Sequence, residues 1–134
     1  MAKIRHIAIY TSDPDKLARF YIDVFGMKFT QESPAVPGTG RAVWLTDGYV
    51  DVAIIHPESD KAPRGLNHFG FTIEASEKDG IYRKLKSHGR EPYGPPPGRP
   101  YIEDAARDID GNKFDLSTTG LREAPKPSKA KVEA

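Results

Sequence analysis

Two histidines stand in matching frames. Arg5-His6-Ile7-Ala8-Ile9-Tyr10 is followed 62 residues later by Asn67-His68-Phe69-Gly70-Phe71-Thr72. In each copy a polar residue precedes the histidine, and an apolar, β-branched or aromatic run follows it. A histidine in a strand is ordinarily structural. Two at equivalent positions of an internal repeat are another matter, because a pseudo-two-fold axis can make them neighbours. A third group, Asp115, sits in the apolar frame Phe114-Asp115-Leu116, where a carboxylate needs a partner or a metal. Two imidazoles and one carboxylate leave coordination positions open to water or substrate. That donor set suits divalent Fe, Mn, Co, Ni or Zn in a catalytic rather than a structural site.

The repeat extends beyond the histidines. Gly26 and Gly89 are 63 apart, as are Asp47-Gly48 and Asp110-Gly111. On that spacing the position equivalent to Asp115 is Val52, or Ala53 if the register slips by one, and neither side chain can ligate. Tyr101 and Glu103, with Arg99 and Arg107 nearby, flank the strand that leads to Asp110-Gly111. Glu103 is the candidate base and Tyr101 the candidate hydrogen-bond donor, against the alternative that both are surface groups. His56 reads as a surface histidine, and His88 as a residue beside a helix end.

These groups need elements to hold them. Residues 4–11 alternate as a strand. Asp13-Pro14 caps a helix whose apolar stripe is Leu17, Phe20, Tyr21, Val24 and Phe25, with Gly26 as its left-handed stop. Strands over 27–31, 41–46 and 50–56 complete a first module, with Trp44 and the phenylalanines in the core. Residues 57–65 link it to a second. There the spacing predicts a strand over 66–74, a helix capped by Ser76 carrying Ile81, Tyr82 and Leu85, and a short edge strand at 91–93. Gly94-Pro95-Pro96-Pro97-Gly98-Arg99-Pro100 reads as a stiff loop, since proline has no N–H to donate to a central ladder. Strands over 101–107 and 113–118 close the module. The expectation is a single domain over 1–120, with modules at about 4–57 and 66–119. Leu121 to Ala134 reads as a disordered tail, rich in Lys, Pro and Glu with little to bury.

Composition narrows the function classes. Net charge is +1, with 29% charged and 37% hydrophobic residues, so nothing favours a nucleic-acid or membrane surface. With no cysteine there is no thiolate nucleophile and no cysteine-type zinc site. No apolar leader precedes the first strand, and a cytoplasmic location is the expectation.

The histidine frames, the Asp13-Pro14 before Phe20-Tyr21, the Phe25-Gly26-Met27 ending and the closing Asp108-Ile109-Asp110-Gly111-Asn112-Lys113-Phe114-Asp115-Leu116 resemble the vicinal oxygen chelate superfamily. The resemblance covers residues 4–118. It implies an α+β fold of two βαβββ modules forming an open curled sheet, with metal ligands on the first strand of each module and on the final strand. Those carry over to His6, His68 and Asp115. It further implies a homodimer, with the three ligands drawn from one subunit or from two, and a small oxygen-bearing substrate chelated in a dioxygenase, lyase, isomerase or transferase-like reaction. The final-strand ligand of the superfamily is usually Glu. The missing fourth ligand argues against a glyoxalase I. The opposing reading is a non-catalytic binder of the bleomycin-resistance type, which generally lacks the ligand set.

Overall fold

The elements run β1 (Lys3–Tyr10), α1 (Pro14–Phe25), β2 (Lys28–Ser33), β3 (Ala42–Thr46), β4 (Asp51–Ile55), β5 (Gly65–Thr72), a 3-10 turn (Ala75–Glu77), α2 (Lys78–Ser87), β6 (Asp104–Arg107) and β7 (Lys113–Ser117). They are taken from a computed structural model that describes residues 1–35, 40–95, 97 and 103–118. The content is α+β, as expected. Two compact units divide it: one is His6–Asn67, and the other holds Met1–Arg5 with the described residues from His68 onward. Tyr101 and the tail from Leu121 to Ala134 lie outside the described residues.

In the His6–Asn67 unit the strands lie in the order β2-β3-β4-β1. Val43, Leu45 and Ile54 are fully buried and meet Ala18 of α1, flanked by Leu17, Tyr21, Ile22, Met27, Phe29 and Val52. Asp13 caps α1 by accepting from the Lys16 N–H at 3.1 Å, and Gly26 ends it at φ 70°. The expected apolar stripe needs correcting. Phe20, Val24 and Phe25 are 53%, 52% and 68% exposed, so they do not face the sheet. The helix lies down on Pro14 and Ala18 instead. At 100° per residue Phe20 is about 200° round from Ala18, on the far side. Two overlapping apolar stripes coexist in this sequence, and the one containing the smallest residue permits the closest approach. Accordingly, Leu45→Ala should cost about 2–5 kcal/mol and Phe20→Ala less than about 1 kcal/mol, read from urea midpoints. A large loss at Phe20 would put the stripe back where the spacing suggested.

Arg41, at the entry to β3, ties the unit together. Its Nη2 donates to Asp15 Oδ1 at 2.8 Å and Glu32 Oε2 at 3.0 Å, joining the first turn of α1 to β2. The hydrogen bond to Asp15 is the main reason its guanidinium is held charged beyond the ordinary arginine range.

In the other unit the order is β5-β7-β6. Ala106, Phe114 and Leu116 are buried against Phe69, Phe71, Tyr82 and Leu85. The edge strand expected at 91–93 is reduced to one bridge, Tyr93 with Ala105. Ser76 is not the helix cap: it lies in the 3-10 turn, where the Glu74 N–H donates to Glu77 Oε1 at 3.0 Å, and α2 begins at Lys78. Tyr82 Oη donates to Asp104 Oδ2, and Lys78 Nζ stands 3.8 Å from the same oxygen. Burial, then the bond to Asp104, raises the Tyr82 hydroxyl well above the ordinary tyrosine range. A raised pKa means this stabilisation is complete below about pH 10 and is withdrawn as pH climbs beyond it. Tyr82→Phe should cost about 1–2 kcal/mol at neutral pH and flatten the alkaline loss of stability seen in denaturant titrations.

Candidate metal centre

Strand register decides which side chains share a face. β1 and β4 are parallel with Ile7↔Val52, Ala8↔Ala53 and Ile9↔Ile54 opposite each other. Directly paired residues point the same way. Val52 and Ile54 belong to the cluster that meets α1, so Ile7 and Ile9 point to that side of the sheet, and His6, Ala8 and Tyr10 point to the opposite face with Ala53. β3 is antiparallel to β4 with Trp44↔Ala53, which adds Trp44 to this face. His6 is 4% exposed.

The other unit repeats the pattern. β5 and β7 are parallel with Phe69↔Phe114, Gly70↔Asp115 and Phe71↔Leu116. The phenylalanines and Leu116 pack toward Tyr82 and Leu85 of α2. His68, Gly70 and Asp115 therefore occupy the face away from α2. There His68 Nε2 and Asp115 Oδ2 are 3.1 Å apart, with side chains 13% and 17% exposed. Asp115 does not face water from an alternating strand; it meets an imidazole.

These registers correct the repeat alignment by one residue. Ala8 and Gly70 each lie two residues after their histidine, and they pair with Ala53 and Asp115. The counterpart of Asp115 is thus Ala53, and Val52 faces the helix side. The physical reason is turn length. In the first module the Asp-Gly pair opens the turn, with Asp47 Oδ1 accepting from the N–H groups of both Tyr49 and Val50, so two residues follow Gly48 before β4; in the second the pair comes late in a longer turn, and one residue follows Gly111 before β7. There Asp108 Oδ1 accepts from Asp110 and Asn112. One extra residue before a strand exchanges its two faces.

The remaining candidates separate. Glu103 is half-buried just before β6, with Oε2 shielded from solvent, so the surface reading does not hold for it. Tyr101 is outside the described residues. His56 is half-buried, its Nδ1 2.9 Å from the Pro57 carbonyl oxygen, and His88 is the C-cap of α2 as expected. Trp44 was missed. Its Nε1 is buried with no hydrogen-bond partner among the described residues, and it stands on the His6 face rather than in the α1 core. The sequence did carry the signal: Trp44 falls between Val43 and Leu45, and alternation turns it the other way.

Two strand–helix–strand modules, each opening on a histidine strand, define an α+β protein of the paired-module kind. A family model of the Glyoxalase/Bleomycin resistance protein/Dioxygenase superfamily matches residues 3–116, and the chain belongs to that superfamily. The chain is 29% identical over 128 residues to metallothiol transferase FosB of Shouchella clausii (strain KSM-K16), covering 90% of this chain and 82% of that protein. Among solved structures it resembles a hypothetical protein from Bacillus halodurans C-125 with a TM-score of 0.64 and 16% identity, covering 99% of each chain. Methylmalonyl-CoA epimerase from Mycobacterium tuberculosis matches with a TM-score of 0.64 and 18% identity, over 84% of this chain and 85% of that one. At these identities the structural likeness shows the fold alone. No helix among the described residues is long and apolar enough to cross a membrane.

Proposed function

We propose that His6, His68 and Asp115 hold one divalent metal ion, and that the protein is a metal-dependent enzyme acting on a small oxygen-bearing substrate. The observation that carries this reading is the pair His68 Nε2 and Asp115 Oδ2 at 3.1 Å. Donors about 2.0–2.2 Å from a shared ion, at octahedral or tetrahedral angles, lie roughly 3–3.5 Å apart. The observed separation fits two neighbouring ligands. His6 adds an imidazole at the equivalent place in the first module, and each of the three offers one ligand atom, a ring nitrogen or a carboxylate oxygen. Ala53 supplies no fourth. The bound ion would act as a Lewis acid toward vicinal oxygens of the substrate.

The chain's own residues set the conditions for that chemistry. Burial of His6 and the shielding of His68 and Asp115 exclude bulk water, which strengthens each charge interaction. Asp115 supplies the one negative charge of the set, so a divalent ion keeps a net positive charge toward an anionic substrate. Glu103, with a shielded carboxylate oxygen ahead of β6, is the candidate base, and Tyr101 the candidate hydrogen-bond donor. The name of the FosB relative joins a metal to thiol transfer, which supports metal dependence without fixing the reaction.

The test is metal analysis of protein purified without chelators, followed by calorimetric titration of the metal-free chain with Fe, Mn, Co, Ni and Zn salts in turn. One ion per chain is expected. If no ion binds, the reading fails and the non-catalytic binder replaces it.

A further inference from the structure

On the face of the first module that carries His6, the strand registers lay side chains out in rows. One row runs His6, Asp51, Thr46 and Lys28 across β1, β4, β3 and β2, and the next runs Ala8, Ala53, Trp44 and Gln31. The second row holds no charge. Ala8 and Ala53 are buried, and nothing longer than a methyl stands on the row until Trp44. There the indole Nε1–H is buried without an acceptor among the described residues. A buried donor left without a bond keeps its whole desolvation cost, and native folds seldom leave one so. Packing alone would be served by phenylalanine, which has no N–H to satisfy. Gln31 is half-buried and paired directly with Trp44. Its amide both donates and accepts.

We propose that Trp44 and Gln31 form the subsite for the end of the substrate remote from the metal, and that this end is an uncharged amide or ring carbonyl. The assignment rests on the metal centre proposed above, which holds the other end. The substrate's carbonyl oxygen accepts from Trp44 Nε1, and an adjoining N–H donates to the Gln31 side-chain oxygen. Charge selects a neutral group. Lys28 and Asp51 on the adjoining row are of opposite sign, and the row of Trp44 offers no cation to a desolvated carboxylate or phosphate. Spacing selects an extended one. β3 lies two strands from β1, about 10 Å across the sheet. The ligand class is thus a chelating oxygen pair joined by a short apolar stretch to an amide-like head.

Hydroxamic acids carrying a terminal carboxamide, with two to six methylenes between the groups, test this against alkyl hydroxamic acids of matched length. The hydroxamate supplies vicinal oxygens for the ion, and only the far end differs. Calorimetric titration of the metal-loaded chain should show at least one carboxamide bound about tenfold more tightly than its alkyl counterpart. Trp44→Phe keeps a ring and removes the donor. It should bring the two ligands to within about twofold of each other while metal affinity is unchanged. Gln31→Leu should lower the preference several-fold, and gives a second reading should Trp44→Phe disturb the circular dichroism spectrum. Equal binding of both series to the wild-type chain at every length overturns the proposal, as does a preference that survives both substitutions. A chain that takes up the ion yet shows no preference loses this subsite alone. A chain that takes up no ion fails at the metal titration, before any hydroxamate is added, and both readings fall.

Discussion

Gly40→Ala should destabilise the fold by about 3 kcal/mol or more. A Cβ built on Gly40 would lie 1.4 Å from the His56 carbonyl oxygen and 2.6 Å from its carbonyl carbon. Both obstacles are backbone, so no side chain can rotate out of the way. The obstructing segment is itself fixed, because the His56 N–H donates to the Arg41 carbonyl at 2.8 Å. Overpacking ordinarily costs about 1–3 kcal/mol, and a collision with an anchored backbone belongs at or beyond the top of that range. Gly80 provides the control. Its added Cβ would meet only the end of the Arg83 side chain, at 3.8 Å. In helical α2 the same substitution should stabilise by up to about 1 kcal/mol, since alanine is the better helix former. Paired urea curves would decide it, and equal midpoints for the two variants would show that the approach at Gly40 relaxes without strain.

The second large effect concerns the donor atoms. His6→Ala, His68→Ala and Asp115→Ala should each lower metal affinity by more than the 10–100-fold typical of a residue that merely supports a ligand. Folding should survive. His68 and Asp115 point away from the cluster of Ala106, Phe114 and Leu116, and His6 away from the cluster of Val43, Leu45 and Ile54. Asp115→Asn sharpens the comparison, because it keeps the shape and the oxygen while removing the charge. If Asp115→Asn binds as tightly as wild type, the carboxylate is not a ligand and its proximity to His68 is only a hydrogen bond. Ala53→Glu is the converse experiment, placing a carboxylate where the register sets the counterpart of Asp115 and should tighten binding. Val52→Glu should instead destabilise the protein, because Val52 packs against the α1 cluster.

How much of this was legible depended on the kind of pattern. The order strand, helix, three strands in the first module followed from alternation, from Asp13 and Gly26 at the helix ends, and from the Asp47-Gly48 turn. The pairing of His68 with Asp115 was foreseeable because both lie in apolar strand frames of the second module, on the two strands to which the resemblance assigns ligands. What escaped was orientation. The stripe on α1 had two apolar solutions, and only packing against Val43 and Leu45 selects the one through Ala18. The partner of Asp115 was misplaced by one residue because turn length cannot be counted from a shared Asp-Gly pair. Ser76 has the right chemistry for a cap, yet Glu77 satisfies the Glu74 N–H first and the chain turns once as a 3-10 helix before α2 begins.

The orientation of Trp44 carries a practical consequence. The chain holds one tryptophan, so its indole emission, excited at wavelengths that tyrosine does not absorb, comes from a single point. That point is on β3, pairs with Ala53, and faces the side of the sheet that carries His6 rather than the side that α1 covers. Its indole N–H is shielded without an acceptor among the described residues, and indole emission shifts in wavelength when that bond is made or the surrounding polarity changes. The protein therefore contains its own optical gauge for whatever enters that face, readable without a label or a chromophoric substrate, whatever the reaction.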